Sequence, residues 1–215
     1  SEIENRLVLE DLVSQPKMSH GNYRIVHFDS PDRRGVDCAF LYRPDVFTLE
    51  GSKAHKFEMP GMENFYTRDL VTMWGTIEGE PFYFLVSHWP SRLGGKEASQ
   101  NKRDACAKQI RGIKDSLLKE NPATKVIVMG DFNDDATDAS VTDILGAKGD
   151  KKGKIKELQP NDMYNPFYSM LKAGYGTLGY RDSWNLFDNI VVSENLATGS
   201  TGSLKIQKKQ GAKYY

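Results

Sequence analysis

The stretch VIVMGDFNDDATD, residues 126–138, places Asp131, Asn133, Asp134, Asp135 and Asp138 within eight residues, directly after an apolar, largely β-branched run. Side chains of these types can hold a cation or take a proton from water. They can equally close a solvated turn and cap the helix that follows, because Asp and Asn are favoured in both places. A third reading is a calcium loop of the helix–loop–helix kind, with Asp131, Asn133 and Asp135 at its first, third and fifth positions. That reading fails: the sharp turn needs Gly where Ala136 stands, the closing bidentate Glu is replaced by Thr142, and a strand precedes the cluster rather than a helix. A site at the carboxyl end of a strand remains. Asp131 and Asn133, two apart on extended backbone, point the same way.

Other parts of the chain supply matching groups. SHWPSR (87–92) also follows an apolar run and puts His88 at a strand end before a polar turn. FDNIVVS (187–193) sets Asp188 directly before an apolar strand, where a charge is costly to bury unless paired. SEIEN puts Glu2 just ahead of a helix, and YTRDLV puts Arg68 ahead of a strand. His20, His27 and His55 sit in contexts that read as surface or satisfied residues. Trp89, Tyr180 and Trp184 have the shape to stack on a substrate ring, although such residues more often pack in a core or at its rim. Lys96, Lys102 and Arg103 could meet phosphates or form a solvated helix start.

The elements that must position these residues follow from periodicity. SEIENRLVLEDLVSQ carries Leu7, Leu9, Leu12 and Val13 in a near-helical stripe. NYRIVHF (22–28) and GVDCAFLYRPDVF (35–47) read as strands, the second alternating Val36, Cys38, Phe40 and Tyr42. Residues 68–89 read as two strands joined at a Gly79–Pro81 turn. Residues 96–121 form the strongest helix, with Ala98, Ala105, Ile110, Ile113 and Leu117 on its apolar face and Pro122 at its end. Residues 125–129 form a strand, followed by a short helix with Asp138 as N-cap. Residues 146–158 read as a Gly/Lys-rich loop, NPFYSMLKAGY as a short helix, 182–193 as a segment ending in a strand, and the tail from Lys205 as basic and aperiodic. Strands interleaved with helices give an α/β class.

The chain has 215 residues, which suits a single domain with a real core. Its formal net charge is zero, which argues against a dedicated nucleic-acid carrier. The charge is unevenly spread: residues 1–90 hold 9 Lys+Arg against 14 Asp+Glu, and residues 91–215 hold 20 against 15. A basic second half suits an anionic substrate, though such a split also arises without one. Cys38 and Cys106 are too few for a disulfide framework and read as buried thiols. No apolar run reaches the roughly 18 residues of a membrane-spanning helix. No signal-peptide pattern is read at the start.

Taken in order along the chain, SEIEN, YTRDLV, SHWPSR, GDFN and FDNIVVS resemble the motifs of the endonuclease/exonuclease/phosphatase family, the fold of pancreatic deoxyribonuclease. The resemblance implies a four-layer α/β sandwich, with two packed, mainly antiparallel sheets and helices outside. It implies a metal-dependent hydrolase of phosphate esters, a phosphodiesterase, endonuclease or phosphatase, working by in-line attack of activated water. Glu2 matches the family's metal-binding glutamate and Arg68 the arginine on substrate phosphate. His88 matches the first catalytic histidine, Asp131 and Asn133 the Asp–Asn pair, and Asp188 the aspartate that orients a second histidine. Asp131 would activate the water, Asn133 orient it, and His88 with Arg68 stabilise charge on the phosphoryl oxygens. The implied cofactor is Mg²⁺, with Mn²⁺ or Ca²⁺ as alternatives. The implied partner is a nucleic acid, an inositol phosphate or a phospholipid headgroup, bound by a monomer. The family's opening Asn-bearing strand and its closing SDH histidine have no counterpart between Ser1 and Tyr215. The expectation is that both ends lie outside the sequence. The alternative is a non-catalytic relative that acts as a binding module. Asp134, Asp135 and Asp138 are expected to serve the turn and the cap.

Overall fold

The structure is a computed structural model, and it describes residues 1–59, 61–62, 64–149 and 155–207. The basic stretch at 150–154 and the end of the basic tail, 208–215, lie outside the described residues.

The long run of apolar strands builds one mixed sheet. Its strands are β3 (Thr48–His55), β4 (Leu70–Ile77), β5 (Glu80–His88), β6 (Lys125–Asp131), β7 (Ala147–Gly149), β8 (Met163–Asn165) and β11 (Asp188–Ser193). Their spatial order is β3-β4-β5-β6-β11-β8-β7. The pairs β3–β4, β4–β5, β6–β11 and β8–β11 are antiparallel, while β5–β6 and β7–β8 are parallel. The β4–β5 connection is the Glu78–Gly79 turn, both residues at positive φ, and Pro81 already lies in β5.

Strand alternation divides the core in two. Tyr83, Leu85, Val126 and Val128 face helix α3 (Gln100–Glu120), which contributes Cys106, Ala107, Ile110 and Leu118. Pro122 stops that helix as expected. Phe82, Val86, Val71, Met73 and Val192 face the other way, toward Val26 and Phe40 of a ribbon formed by β1 (Arg24–His27) and β2 (Ala39–Tyr42). Helix α1 (Arg6–Ser14) lies against β1 and is capped by the Asn5 side chain, which accepts from Val8 N. The expected second sheet is therefore a two-stranded ribbon among the described residues, so they do not complete a sandwich of two broad sheets.

Smaller elements complete the chain: α2 (Pro16–Ser19), α4 (Phe167–Lys172), β9 (Leu178–Tyr180), β10 (Ser183–Asn185) and α5 (Glu194–Thr198). The Asp138 cap is a correction. The segment that follows is a short π-helical turn, Ser140–Ile144, preceded by Ala139, and no side chain caps it. Asp138 is instead a partner for Arg92, Lys96 and the Asp135 N–H. Residues 146–158 are not wholly loop, since they hold β7 and a 3-10 turn at Ile155–Glu157. Both cysteines are buried free thiols.

Candidate active site

Strands β5 and β6 run parallel with His88 and Asp131 in register, so both side chains leave the sheet at the same end. On the other side of β6, antiparallel β11 sets Asp188 opposite Asp131. Three residues far apart in sequence thus stand side by side because three apolar strands pair. The strands come unusually close here. Gly130 has φ +133°, and a Cβ on it would lie 1.9 Å from the Ser87 carbonyl oxygen, so only glycine fits before Asp131.

The residue after each functional group turns into the core and fixes it. Trp89 and Phe132 are fully buried and stack with ring centroids 4.5 Å apart. Trp89 N donates to the Asp131 carbonyl oxygen at 2.9 Å, and Phe132 N donates to that of Phe187 at 2.8 Å. Trp89 is therefore core and offers no face to a ligand, whereas Tyr180 and Trp184 are exposed.

His88 Nε2 lies 3.4 Å from Asp131 Oδ2. Asp131 Oδ1 accepts from Asn133 N at 2.8 Å, a local turn that holds Asn133 at φ +49°. The Asn133 amide nitrogen donates to the Trp89 carbonyl at 2.8 Å, which leaves its oxygen as the atom it can offer a ligand. Glu2 is carried by a backbone bridge between Ile3 and Asp37 and also has a left-handed φ, +63°. Its Oε1 lies 3.9 Å from His88 Nδ1, so Glu2 and Asp131 flank opposite nitrogens of one imidazole.

Glu2, Arg68, His88, Asp131 and Asn133 line one cavity of about 400 Å³. Asp188 does not line it but acts on Asp131 from the neighbouring strand. Burial raises the Asp131 carboxyl above its usual value, the Asn133 N–H pulls it down, and the negative charges of Asp188 and Glu2 push it up again. His88 is held down to about 3, first by burial and then by the positive charges of Arg68 and Arg34. It is a neutral imidazole at neutral pH, able to donate from only one nitrogen.

Arg68 lines the cavity but is largely engaged by the protein, and its Nε is buried without a partner. It is buried, its Nη1 donates to Asp32 Oδ2 at 3.2 Å, and its Nη2 donates to the carbonyls of His88 and Trp89, both at 3.1 Å. Asp32, Arg34 and Lys102 also line the cavity. The first two come from the SPDRRG turn, whose only sequence signal is two adjacent arginines in a Pro/Asp/Gly context. Lys96 pairs with Asp138 at 2.6 Å, and buried Arg103 sits with its Nε 2.7 Å from Asp134 Oδ1, so neither is a free phosphate ligand. His27 bonds Asp37 at 2.9 Å and His55 bonds Thr72 Oγ1 at 3.1 Å, the satisfied roles read for them.

The profile of the Endonuclease/Exonuclease/phosphatase family matches residues 1–214. No curated protein matches. Among solved structures, the human Nocturnin catalytic domain with bound sulfate aligns with a TM-score of 0.58 and 17% identity, over 85% of this chain and 64% of that one. Truncated TDP2 from Caenorhabditis elegans aligns with a TM-score of 0.58 and 18% identity, over 89% and 68%. A mannosyl-6-phosphatase from Bacteroides thetaiotaomicron aligns with a TM-score of 0.54 and 20% identity, over 86% and 66%. The chain thus spans just under two thirds of the Nocturnin domain, and the likeness to these structures is one of fold.

Proposed function

Because the chain belongs to the endonuclease/exonuclease/phosphatase family, we propose that it hydrolyses phosphate esters with the help of a divalent cation. The observation that carries this reading is Asp131, which meets His88 on one strand and Asp188 on the other at the mouth of one cavity.

The donor chemistry fits a hard cation. Glu2 and Asp131 supply carboxylates and Asn133 a carboxamide oxygen, an all-oxygen set of the kind Mg²⁺ takes with one or two carboxylates plus substrate. Burial, and after it the charges of Asp188 and Glu2, push the Asp131 carboxyl upward, and a nearby cation would favour its ionised form. Glu2 would hold the cation, which when bound would neutralise phosphoryl charge and lower the pKa of water.

The remaining steps belong to side chains. Asp131 accepts a proton from the attacking water. The Asn133 oxygen orients that water. Neutral His88 donates one hydrogen bond to an oxygen on which charge builds. Asp188 would orient a second imidazole, a role implied by the family motif alone. The relatives suggest which substrates to try: one TDP2 from D. rerio was solved with a single-strand DNA product, and another relative is a mannosyl-6-phosphatase.

The test is an activity panel with Mg²⁺ and with EDTA over plasmid DNA, abasic DNA, single-strand DNA, a sugar phosphate, inositol phosphates and sphingomyelin. Turnover of one substrate class that needs the cation and Asp131 is expected. A folded protein that turns over none of them, with any divalent cation, would point instead to a binding module.

A further inference from the structure

We infer that Arg34, and not Arg68, is the residue that grips the substrate phosphate, and that Arg68 is a positioning residue. The inference rests on the phosphoesterase reading above for the identity of its ligand.

The two guanidinium groups are used differently. Both terminal nitrogens of Arg68 are engaged, one with Asp32 and the other with the His88 and Trp89 carbonyls. Turning it toward a phosphate would cost Asp32 Oδ2 its Arg68 partner and release the turn behind His88, a costly loss for buried polar groups. Arg34 is placed differently. Its side chain is 57% exposed and lines the same cavity. Its Nε bonds Asp32 Oδ1 at 3.3 Å, while among the described residues its terminal nitrogens reach only Glu2 Oε1, 3.9 Å from Nη1. That leaves the terminal edge of a planar fork without a hydrogen-bond partner among the described residues, on a residue that lines the cavity, and such an edge suits two oxygens of one phosphate. Arg34 is near enough to His88 for its charge to be felt there.

The loop that carries Arg34 is built to hold it. His27 and Asp37 close the loop base at 2.9 Å, the Ser30 N–H donates to Asp37 Oδ1 at 2.8 Å, and the Ser30 hydroxyl donates to the Val36 carbonyl at 3.3 Å. The Arg34 N–H donates to Asp32 Oδ1 at 2.9 Å, and Gly35 supplies the positive φ, +67°, that turns the chain back. Asp32 thus joins the two arginines: it anchors Arg68 inside and aims Arg34 outside. Burial alone would raise its carboxyl, but the Arg34 N–H and the Arg68 guanidinium outweigh that and lower it, so it stays ionised between them.

The probe is inorganic phosphate, titrated calorimetrically into the Mg²⁺-loaded protein. Kinetics are measured alongside on whichever substrate class the panel identifies. Arg34→Ala should weaken phosphate binding and raise KM by about tenfold or more, as loss of a charge-assisted bidentate contact implies. Arg34→Lys should restore only part, because an ammonium lacks the fork. Arg68→Lys should lower kcat and leave phosphate affinity within about twofold. Phosphate affinity unchanged in folded Arg34→Ala overturns the inference, as does a wild-type protein that binds no phosphate. So does an Arg68→Lys loss of phosphate affinity as large as that of Arg34→Ala. Arg34-dependent phosphate binding without hydrolysis of any ester would overturn the hydrolase reading and leave this assignment standing.

Discussion

His88 and Asp131 sit opposite each other across a parallel strand pair, with Nε2 and Oδ2 3.4 Å apart. The pairing of β5 with β6 brings together a histidine and a carboxylate 43 positions apart in sequence. Asp131→Asn and His88→Ala should each lower turnover on the order of 100- to 1000-fold, the usual cost of losing one preorganised group. Both should fold, since Asp131→Asn is nearly isosteric and His88, though buried, belongs to neither apolar core cluster. Steady-state kinetics with circular dichroism check this, and near-normal turnover in either variant would remove that residue from the mechanism.

Cation binding should be visible in stability. Burial first, and then the charges of Asp188 and Glu2, raise the Asp131 carboxyl, and a group whose folded pKa is raised loses stability as the pH rises through it. At neutral pH, Mg²⁺ should raise the melting temperature of the wild type. Asp131→Asn should be more stable than wild type without metal and should gain less from it. Thermal scans with and without EDTA decide it; a wild type indifferent to Mg²⁺ counts against the cation site.

Asp134 should prove structural, although it lies one residue from Asn133. It is fully buried, contacts Arg103 and Arg92 and accepts from Gln100 and the Ser140 hydroxyl. Asp134→Ala leaves the buried Arg103 cation unpaired, which typically costs about 3–5 kcal/mol. Denaturant unfolding measures this. A drop of less than about 1 kcal/mol, within the range of an ordinary substitution, would show the pair to be dispensable.

Acid should release the 201–204 segment before it disturbs the sheet. Glu80 Oε1 accepts from the Ser203 N–H, the Ser203 hydroxyl and the Leu204 N–H, and its other oxygen meets Lys125. Lys125 and then these donors pull its pKa down to about 2. A depressed carboxyl contributes its stabilisation fully above its ordinary value of about 4.5 and loses it as the pH falls toward 2. Amide exchange at Ser203 and Leu204 should therefore accelerate across that window, and Glu80→Gln should show the faster exchange already at neutral pH. Equal protection in the variant would mean that the segment is held by other contacts.

Much of this protein is local and could be read from its residues. Strands β5, β6 and β11 are apolar runs that end at His88, Asp131 and beside Asp188, and α3 declares itself by period and by Pro122. The motif residues Glu2, Arg68, His88, Asp131 and Asn133 do line one cavity. Edge strand β3 escaped because TLEGSKAH lacks the alternation that burial on one face imposes, and its pairing with β4 is shifted at Leu49/Gly51.

What tertiary structure alone decided is who partners whom. Trp89 and Trp184 are both plausible stacking rings in sequence, yet one is buried on Phe132 and the other is exposed, because only packing fixes solvent access. Arg68 carries the family motif, but the fold engages its guanidinium with Asp32 and two carbonyls. Arg34, in a turn without any motif, lines the same cavity with a side chain more than half exposed. Residue types and strand periods act over a few positions and survive in the sequence. Register, burial and charge neighbours depend on strands and loops that meet only when the chain is folded.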